Sequence, residues 1–196
     1  LDGRYSDYLR ESSIYPLGAA IAEGSQIALQ IVEELIPIFK VIISDEESSY
    51  ALSWVSIDVL EEAAMQGSQL AVESLKDIVL DEQLSIENRE HSIGALGNVA
   101  AEGYQAIIIL LASLVLNEQL PDELREGSIY VLFPALERGE QVVINLLASL
   151  VLNEQLSDSL RAAAINGLEY AVRVGNKNGR KEAADVLGEI TPILKV

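Results

Sequence analysis

The segment LLASLVLNEQL occurs twice in this chain, at residues 110–120 and 146–156, without a single substitution. The two copies lie 36 residues apart, and a related turn, LDEQL, begins another 36 residues upstream at Leu80. A period of about 20 to 50 residues is typical of repeat proteins, in which each unit packs on its neighbours. The duplication therefore predicts an array of similar structural units.

A second motif follows each of these turns and recurs along the whole chain. An isoleucine is followed by Leu three residues later, by Ala or Val six residues later and finally by Gly. Apolar residues at this spacing form one face of a helix and do not alternate as in a strand. The motif therefore predicts five similar helices, which we call B helices. Their isoleucines are Ile14, Ile57, Ile93, Ile129 and Ile165.

Each predicted B helix closes with a glycine, and an apolar stretch such as residues 69–80 lies before the next B helix. Many helices end on a left-handed residue, a conformation that Gly adopts without steric penalty. The apolar stretch predicts a second helix in each unit, the A helix. Because neither helix can bury its apolar face alone, stacked units of A helix, turn and B helix are expected. The closing glycines are Gly24, Gly67, Gly103, Gly139 and Gly175.

We expect a single domain over residues 1–196. The second unit is seven residues longer than the others, about two helical turns, and Pro37 is expected to kink or split its A helix. The first unit lacks an A helix, so one alternative is that the chain is a fragment; an exposed apolar edge near Ile14 and Ile21 would then be covered by missing sequence or by another copy. The units are expected at residues 1–24, 25–67, 68–103, 104–139 and 140–175, with a capping helix at 176–196.

The sequence resembles the HEAT-like, armadillo-type family of α-solenoids, especially its short bacterial repeats. The residues that carry the resemblance are Leu160 and Arg161 with the following AAAINGL, the closing Gly175, and SIGALGNVAAEG from Ser92. The resemblance implies an all-α, right-handed solenoid of about five helix-turn-helix repeats, with the B helices on its concave side. Such solenoids mostly serve as binding scaffolds, although chromophore lyases and DNA-repair glycosylases occur among them.

Composition limits the classes of partner. The chain has 31 acidic and 13 basic side chains, a formal net charge of −18, which repels nucleic acid and anionic lipid surfaces. It contains no cysteine, which excludes disulfides and thiolate chemistry and is compatible with the cytoplasm, where we expect the protein. No apolar run of about 20 residues and no leader is found, so we expect no membrane partner.

Positions that vary between the B helices form one stripe at helical spacing, which predicts the binding surface. Aromatic anchors rimmed by carboxylates suit a segment that is basic at its edges and apolar at its anchors. The sequence therefore predicts a protein-binding scaffold whose acidic concave groove takes a basic or aromatic-complementary segment. The predicted binding residues are Tyr15, Trp54, Asp58, Glu61, Glu62, Glu90, Asn98, Glu126, Tyr130, Phe133, Glu137, Glu169 and Tyr170.

A purely structural interpretation of this stripe stays open. Trp54 and Phe133 could fill gaps between helices, and the carboxylates could form an ordinary solvated face. Gly94 and Gly97 weaken a helix interior by about 0.5–1 kcal/mol each relative to Ala, so a neighbouring helix or a ligand should approach them closely. Close helix packing is the favoured explanation.

The remaining chemical groups favour structural roles. His91 is the only histidine, and zinc usually requires more nitrogen or sulfur ligands than this chain offers. An arginine recurs at the start of the B helices, where we expect it to pair with Glu118, Glu154 or a capping Asp. Its positions are Arg10, Arg89, Arg125 and Arg161.

No catalytic signature is present: the sequence lacks a Gly-rich phosphate loop, a nucleophile elbow and paired histidines on one helix face. We therefore expect no catalytic residue, no metal site and no cofactor. Two other functions stay open. One is an immunity-type inhibitor of a basic toxin or nuclease, and the other is a phycobilin lyase or chaperone-like helper for a pigment protein.

Overall fold

The computed structural model describes residues 6–45 and 47–194. Within these residues the chain forms eleven helices and no strand, which confirms the all-α prediction. The helices are α1 (Asp7–Ala22), α2 (Gln26–Ser44), α3 (Tyr50–Met65), α4 (Gln69–Leu80), α5 (Ile86–Ala101), α6 (Gln105–Val115), α7 (Asp122–Tyr130), α8 (Phe133–Glu137), α9 (Gln141–Leu152), α10 (Asp158–Val174) and α11 (Lys177–Leu194).

The chain divides into two compact units, Leu1–Val99 and Ala100–Val196, which we call unit 1 and unit 2. In unit 1, α3 packs on α1, α2 and α4, and α2 also packs on α4. In unit 2, α10 packs on α7, α8, α9 and α11, and α6 packs on α7 and α9. Helices that follow one another in sequence therefore pack in succession within each unit, as the repeat predicts. The expected single domain stays a prediction.

The repeated apolar positions form the core. A helices are α2, α4, α6, α9 and α11, and the remaining helices correspond to the predicted B helices. Ile57, Ile93 and Ile129 are fully or almost fully buried. Ile14 and Ile21 are also buried, at 1% and 0% exposure, so the exposed apolar edge predicted at these two residues is wrong. They are covered because α1 packs against α2 and α3.

The recurring arginine binds the backbone of the preceding A helix. Its Nε donates to the carbonyl oxygen ten residues upstream, in the last turn of that helix. Its structural role is as predicted, and the predicted pairing with a capping Asp is confirmed at Arg10–Asp7, Arg125–Asp122 and Arg161–Asp158, with N–O distances of 3.1, 3.2 and 3.9 Å. The acceptor of Nε is a carbonyl and neither Glu118 nor Glu154. The three bonds are Arg89 to Val79 at 2.9 Å, Arg125 to Val115 at 2.9 Å and Arg161 to Val151 at 3.1 Å.

The closing glycines follow the prediction in four repeats and depart from it in the fifth. Gly24, Gly67, Gly103 and Gly139 have φ between 74° and 94°, the left-handed conformation that favours Gly. Gly175 instead has φ −55° and ψ 161°. α10 continues to Val174, so Gly175 follows it directly, whereas one residue separates each of the other four glycines from its B helix. A Cβ at Gly175 would lie 2.5 Å from the Ala171 carbonyl oxygen, so Gly is required there by close packing.

Proline acts differently in two helices. The fourth B helix, predicted as one helix, is broken at residues 131–132 into α7 and α8. Pro134 lacks an N–H and its ring clashes with the carbonyl four residues earlier, that of Tyr130, which explains the break. By contrast α2 continues through Pro37, so the predicted splitting of this helix is wrong. Pro37 is exposed, and the buried face of α2 next to it remains packed by Ile36 and Phe39.

Arg125→Met tests the arginine-to-carbonyl bond. Met retains the apolar stem but leaves the buried Val115 carbonyl without its donor, so the free energy of unfolding should fall by about 1–3 kcal/mol. Chemical denaturation measures this loss. Arg10→Met is the matched control, because the buried Nε of Arg10 makes no hydrogen bond. Equal losses in the two variants would show that the carbonyl bond contributes nothing.

Candidate functional site

The predicted stripe residues fall in both units, and each unit brings some of them together. In unit 1, α3 and α5 enclose an open cavity of about 600 Å³, which we call the α3/α5 pocket. Four carboxylates line it and no lysine or arginine does. Five of the predicted residues lie here: Trp54, Asp58, Glu61, Glu90 and Asn98. The complete lining is Trp54, Asp58, Glu61, Glu87, Glu90, His91, Gly94, Ala95 and Asn98.

The only tryptophan stacks on the only histidine at the edge of this pocket. The rings of Trp54 and His91 are 5.1 Å apart and nearly parallel, with an interplanar angle of 8°. His91 Nε2 lies 2.7 Å from Asp58 Oδ1, and Tyr50 meets Trp54 edge-on at 6.5 Å. Trp54 is 43% exposed, so it does not simply fill a gap between helices. His91 is not among the predicted binding residues, because nothing local in the sequence relates it to a ring 37 residues away.

Glu61 lies half-buried between other acidic groups. Asn98 Nδ2 donates to Glu61 Oε1 at 2.9 Å. Burial raises the pKa of Glu61 above its ordinary value, and the neighbouring Asp58 and Glu62 carboxylates raise the pKa further, against the lowering effect of the Asn98 bond. The negative charge of Glu61 is therefore held in an unfavourable environment, which a nearby cation would improve.

Gly94 widens the pocket. A Cβ at this position would meet no atom within 4 Å, so the explanation by close helix packing is wrong for Gly94. The physical reason is that Gly94 lines the open cavity and faces no neighbouring helix at contact distance. Gly167 in α10 shows the opposite case, because a Cβ there would lie 2.6 Å from Leu147 Cδ1 and 3.3 Å from the Phe133 ring.

Tyr15 and Glu62 lie on a second cavity of unit 1. This cavity of about 430 Å³ lies between α1 and α3 and shares Asp58 and Glu61 with the α3/α5 pocket. Tyr15 is 70% exposed. The acidic side chains of α3 therefore face two adjoining cavities.

Unit 2 contains a cluster of three aromatic rings, which we call the aromatic cluster. Phe133 lies between Tyr130 and Tyr170, with ring centroids 5.5 Å and 4.8 Å away. The Tyr170 hydroxyl donates to Glu137 Oε1, which is the main reason that the pKa of Tyr170 is raised. The Arg173 guanidinium lies 6.0 Å from the Tyr170 ring centroid. The cluster thus combines an apolar surface with one acidic and one basic side chain next to Tyr170.

The other predicted residues of unit 2 lie outside the contacts of the aromatic cluster. Glu126 is half-buried on α7, and Glu169 is exposed on α10. Phe133 fits both interpretations of the stripe, since its ring covers Gly167 and is itself only partly buried. The structure therefore groups Tyr130, Phe133, Tyr170 and Glu137 and leaves these two carboxylates apart.

Over residues 6–45 and 47–194, no helix is both long and apolar enough to cross a membrane. In the same part of the chain, no group of three or more His, Asp or Glu side chains is placed to hold a metal ion.

Two of the solved structures to which the chain is similar are designed armadillo repeat proteins. One is named "Designed armadillo repeat protein YIII(Dq)4CqI"; it is 19% identical, with a TM-score of 0.41, over 90% of this chain and 81% of the other. The second, from "computationally designed armadillo repeat proteins for modular peptide recognition", is 17% identical, with a TM-score of 0.41, over 89% and 80%. No protein-family model and no curated protein matches the sequence. The packing within each unit shows that helix pairs repeat. The two similar structures show nothing about the function of this chain.

Gly94→Ala tests whether the pocket wall is open. The added methyl meets no atom, so the gain in helix propensity should raise the free energy of unfolding by about 0.5–1 kcal/mol. Gly167→Ala is the matched control in another B helix. Its methyl overlaps the buried Leu147, and stability should fall. Thermal and urea unfolding of both variants give the comparison, and a destabilised Gly94→Ala variant would contradict an open wall.

Glu61→Gln tests the electrostatic environment. A raised pKa means that the folded chain binds the proton more tightly than the unfolded chain, so ionised Glu61 lowers stability at neutral pH. Gln retains the oxygen that Asn98 contacts and removes the charge. Because the side chain is half-exposed, we expect a melting temperature only about 1–2 °C higher near pH 7, and a smaller difference near pH 4. Glu118→Gln, at an exposed turn, should change neither value.

Proposed function

We propose that this chain is a scaffold that binds a basic segment of a partner protein along its B helices. The single observation that supports this most directly is the α3/α5 pocket, where four carboxylates and Trp54 face an open cavity that no lysine or arginine lines. The pocket would take the cationic side chains of the segment. The aromatic cluster of unit 2 would be a second, separate surface for apolar or aromatic side chains of the partner.

The charge distribution of the pocket supports a cationic ligand. The Asp58, Glu61 and Glu90 carboxylates share one cavity, and the raised pKa of Glu61 shows that its ionised form lacks full compensation. An ammonium or guanidinium group would supply that compensation. The partly exposed Trp54 ring adds a surface on which a cation can stack.

The aromatic cluster would bind apolar anchor residues, in contrast to the cationic side chains proposed for the α3/α5 pocket. Large aromatic side chains contribute much of the binding energy at protein interfaces because they bury area with little loss of conformational freedom. Tyr130 is 46% exposed, and Phe133 and Tyr170 are half-exposed beside it. A Leu, Phe or Pro side chain of the bound segment fits this apolar surface, while Glu137 and Arg173 at the edge of the cluster can bind polar groups.

Net charge bears on which partners the scaffold selects. With 31 acidic against 13 basic side chains, long-range attraction favours basic proteins and disfavours nucleic acid. We place this binding in the cytoplasm, with which the absence of cysteine is compatible.

Binding of a defined peptide tests the proposal. The probe is a fluorescein-labelled 12-residue peptide of alternating Lys and Arg with two central Phe residues, and its control has Glu at every basic position. Anisotropy should show saturable binding of the basic peptide alone. The affinity should fall at least about tenfold between about 50 and 200 mM salt, because exposed charges are screened.

Matched variants locate the site. Asp58→Asn with Glu61→Gln, and separately Trp54→Ala with Tyr130→Ala, should each weaken the basic peptide by about tenfold or more. Glu118→Gln with Glu154→Gln removes the same charge from two exposed turns and should have little effect. An unchanged affinity in the folded Trp54 and Tyr130 variant, or an equal loss in the turn variant, would mean that the stripe is not the binding surface.

A further inference from the structure

One B helix of unit 1 lacks the recurring arginine. At the position near the start of the B helix where four repeats have arginine, α3 has Ser53. In three of those repeats the arginine Nε donates to the carbonyl ten residues upstream. The corresponding carbonyl for Ser53 is that of Ile43, near the end of α2. A serine hydroxyl at this position is far shorter than a guanidinium and leaves space beside that carbonyl.

A second departure from the repeat lies at the same place. The residue just before the arginine position is leucine in four of the five repeats. In the remaining repeat, the third, it is Asn88. Asn88 Nδ2 donates to the Ile43 carbonyl at 3.2 Å and so takes over the hydrogen bond that the missing arginine would make. Asn88 is 6% exposed, and its Oδ1 is buried without a hydrogen-bond donor. Asn88 therefore supplies the Ile43 carbonyl with a donor, but its own Oδ1 is left as an unpaired acceptor.

These two residues line a cavity of about 340 Å³, a size at which proteins bind small polar groups. Asp45 contributes a carboxylate, Ser48 and Ser85 contribute hydroxyls, and Tyr50 contributes a ring that is 61% exposed. No lysine or arginine lines the cavity. It is thus rich in acceptors, carries negative charge and has an aromatic wall.

We propose that this cavity is a binding site for a guanidinium group. A guanidinium has five N–H donors and no acceptor, which matches the unpaired Asn88 oxygen, the Asp45 carboxylate and the serine hydroxyls. Its planar face stacks on aromatic rings, as Tyr50 offers. The other repeats already hold an arginine at the equivalent place, as Arg89 and Arg125 show with exposures of 5% and 6%. The site is distinct from the α3/α5 pocket and does not depend on the peptide-binding proposal.

The structure argues for guanidinium over ammonium. A lysine ammonium is compact and strongly hydrated, and it lacks the planar, five-donor fork of a guanidinium. An anion is disfavoured because Asp45 and the Asn88 oxygen would repel it. The predicted ligand is therefore an arginine side chain, or a small molecule with the same group.

Thermal unfolding of the full chain with three matched probes tests the site. The probes are Nα-acetyl-L-arginine amide, Nα-acetyl-L-lysine amide and free L-arginine. The arginine amide should raise the melting temperature saturably, by about 4–7 °C at about twenty times its dissociation constant, whereas the lysine amide of equal charge should not. An equal response to free arginine would assign the site to a small molecule as well, and a response to the amide alone would assign it to a protein side chain.

Two variants decide whether the cavity is responsible. Ser53→Arg with Asn88→Leu restores the repeat and fills the cavity, so it should fold and lose the arginine response. Tyr50→Ala removes an exposed ring and should weaken the response without disturbing the core. The proposal is overturned if neither arginine probe produces a saturable shift, if the lysine amide acts equally, or if the filled variant responds like the parent chain. None of these results alters the prediction for the basic peptide, which is measured separately.

Discussion

The pairing of each A helix with the B helix that follows it is the constraint on which the rest of the structure depends. Each helix alone would expose an apolar face, and burial of the two faces against each other is the main favourable contribution to folding. The arginine in the first turn of the B helix adds a directional bond. By donating to a carbonyl ten residues upstream, as in Arg125 to Val115, it determines how the turn closes. An identical turn sequence is therefore reused because it performs the same geometric task in each unit.

The separation of buried core positions from outward-facing positions explains where binding residues can lie. Residues such as Ile57 and Leu60 are fully buried and have little freedom to vary. Side chains on the outward face of the B helices do not contribute to that core, so they can differ between repeats. In unit 1 they collect carboxylates around Trp54 and His91, and in unit 2 they collect aromatic rings around Phe133. The electrostatic strain on Glu61 and the exposed rings are tolerated because the repeated core supplies the stability.

Local departures from the repeat are as informative as the repeat itself. Ser53 and Asn88 replace an arginine and a leucine, meet at one carbonyl and leave a polar cavity. Pro134 breaks a B helix at residues 131–132, just before the aromatic Phe133. Gly175 retains its identity for a different reason from the other closing glycines, because backbone atoms leave no room for a Cβ. In each case the local geometry differs from that of the other repeats.

Several elements were predictable from the sequence because they depend on local periodicity. The helices, their order, the buried columns and four of the left-handed glycines follow from which residues recur at i, i+3 and i+4 and where Gly closes each segment. The stripe residues were assigned to their helix faces in the same way. The extent of each helix was less certain, since the break before Pro134 and the continuous helix through Pro37 depend on packing around the proline.

The tertiary structure alone decided which atoms meet across helices. The contacts of His91 with Trp54 and Asp58, and of Asn98 with Glu61, join residues 33 to 37 positions apart on neighbouring helices. Their distances depend on how one helix pair is placed against the next, which periodicity within a helix does not encode. For the same reason the sequence could not show that the arginines bind carbonyl groups, that Gly94 faces open space, or that Ser53 and Asn88 share a cavity. The sequence by itself determined the repeated framework through local spacing, and the packing of successive helices decided the sites.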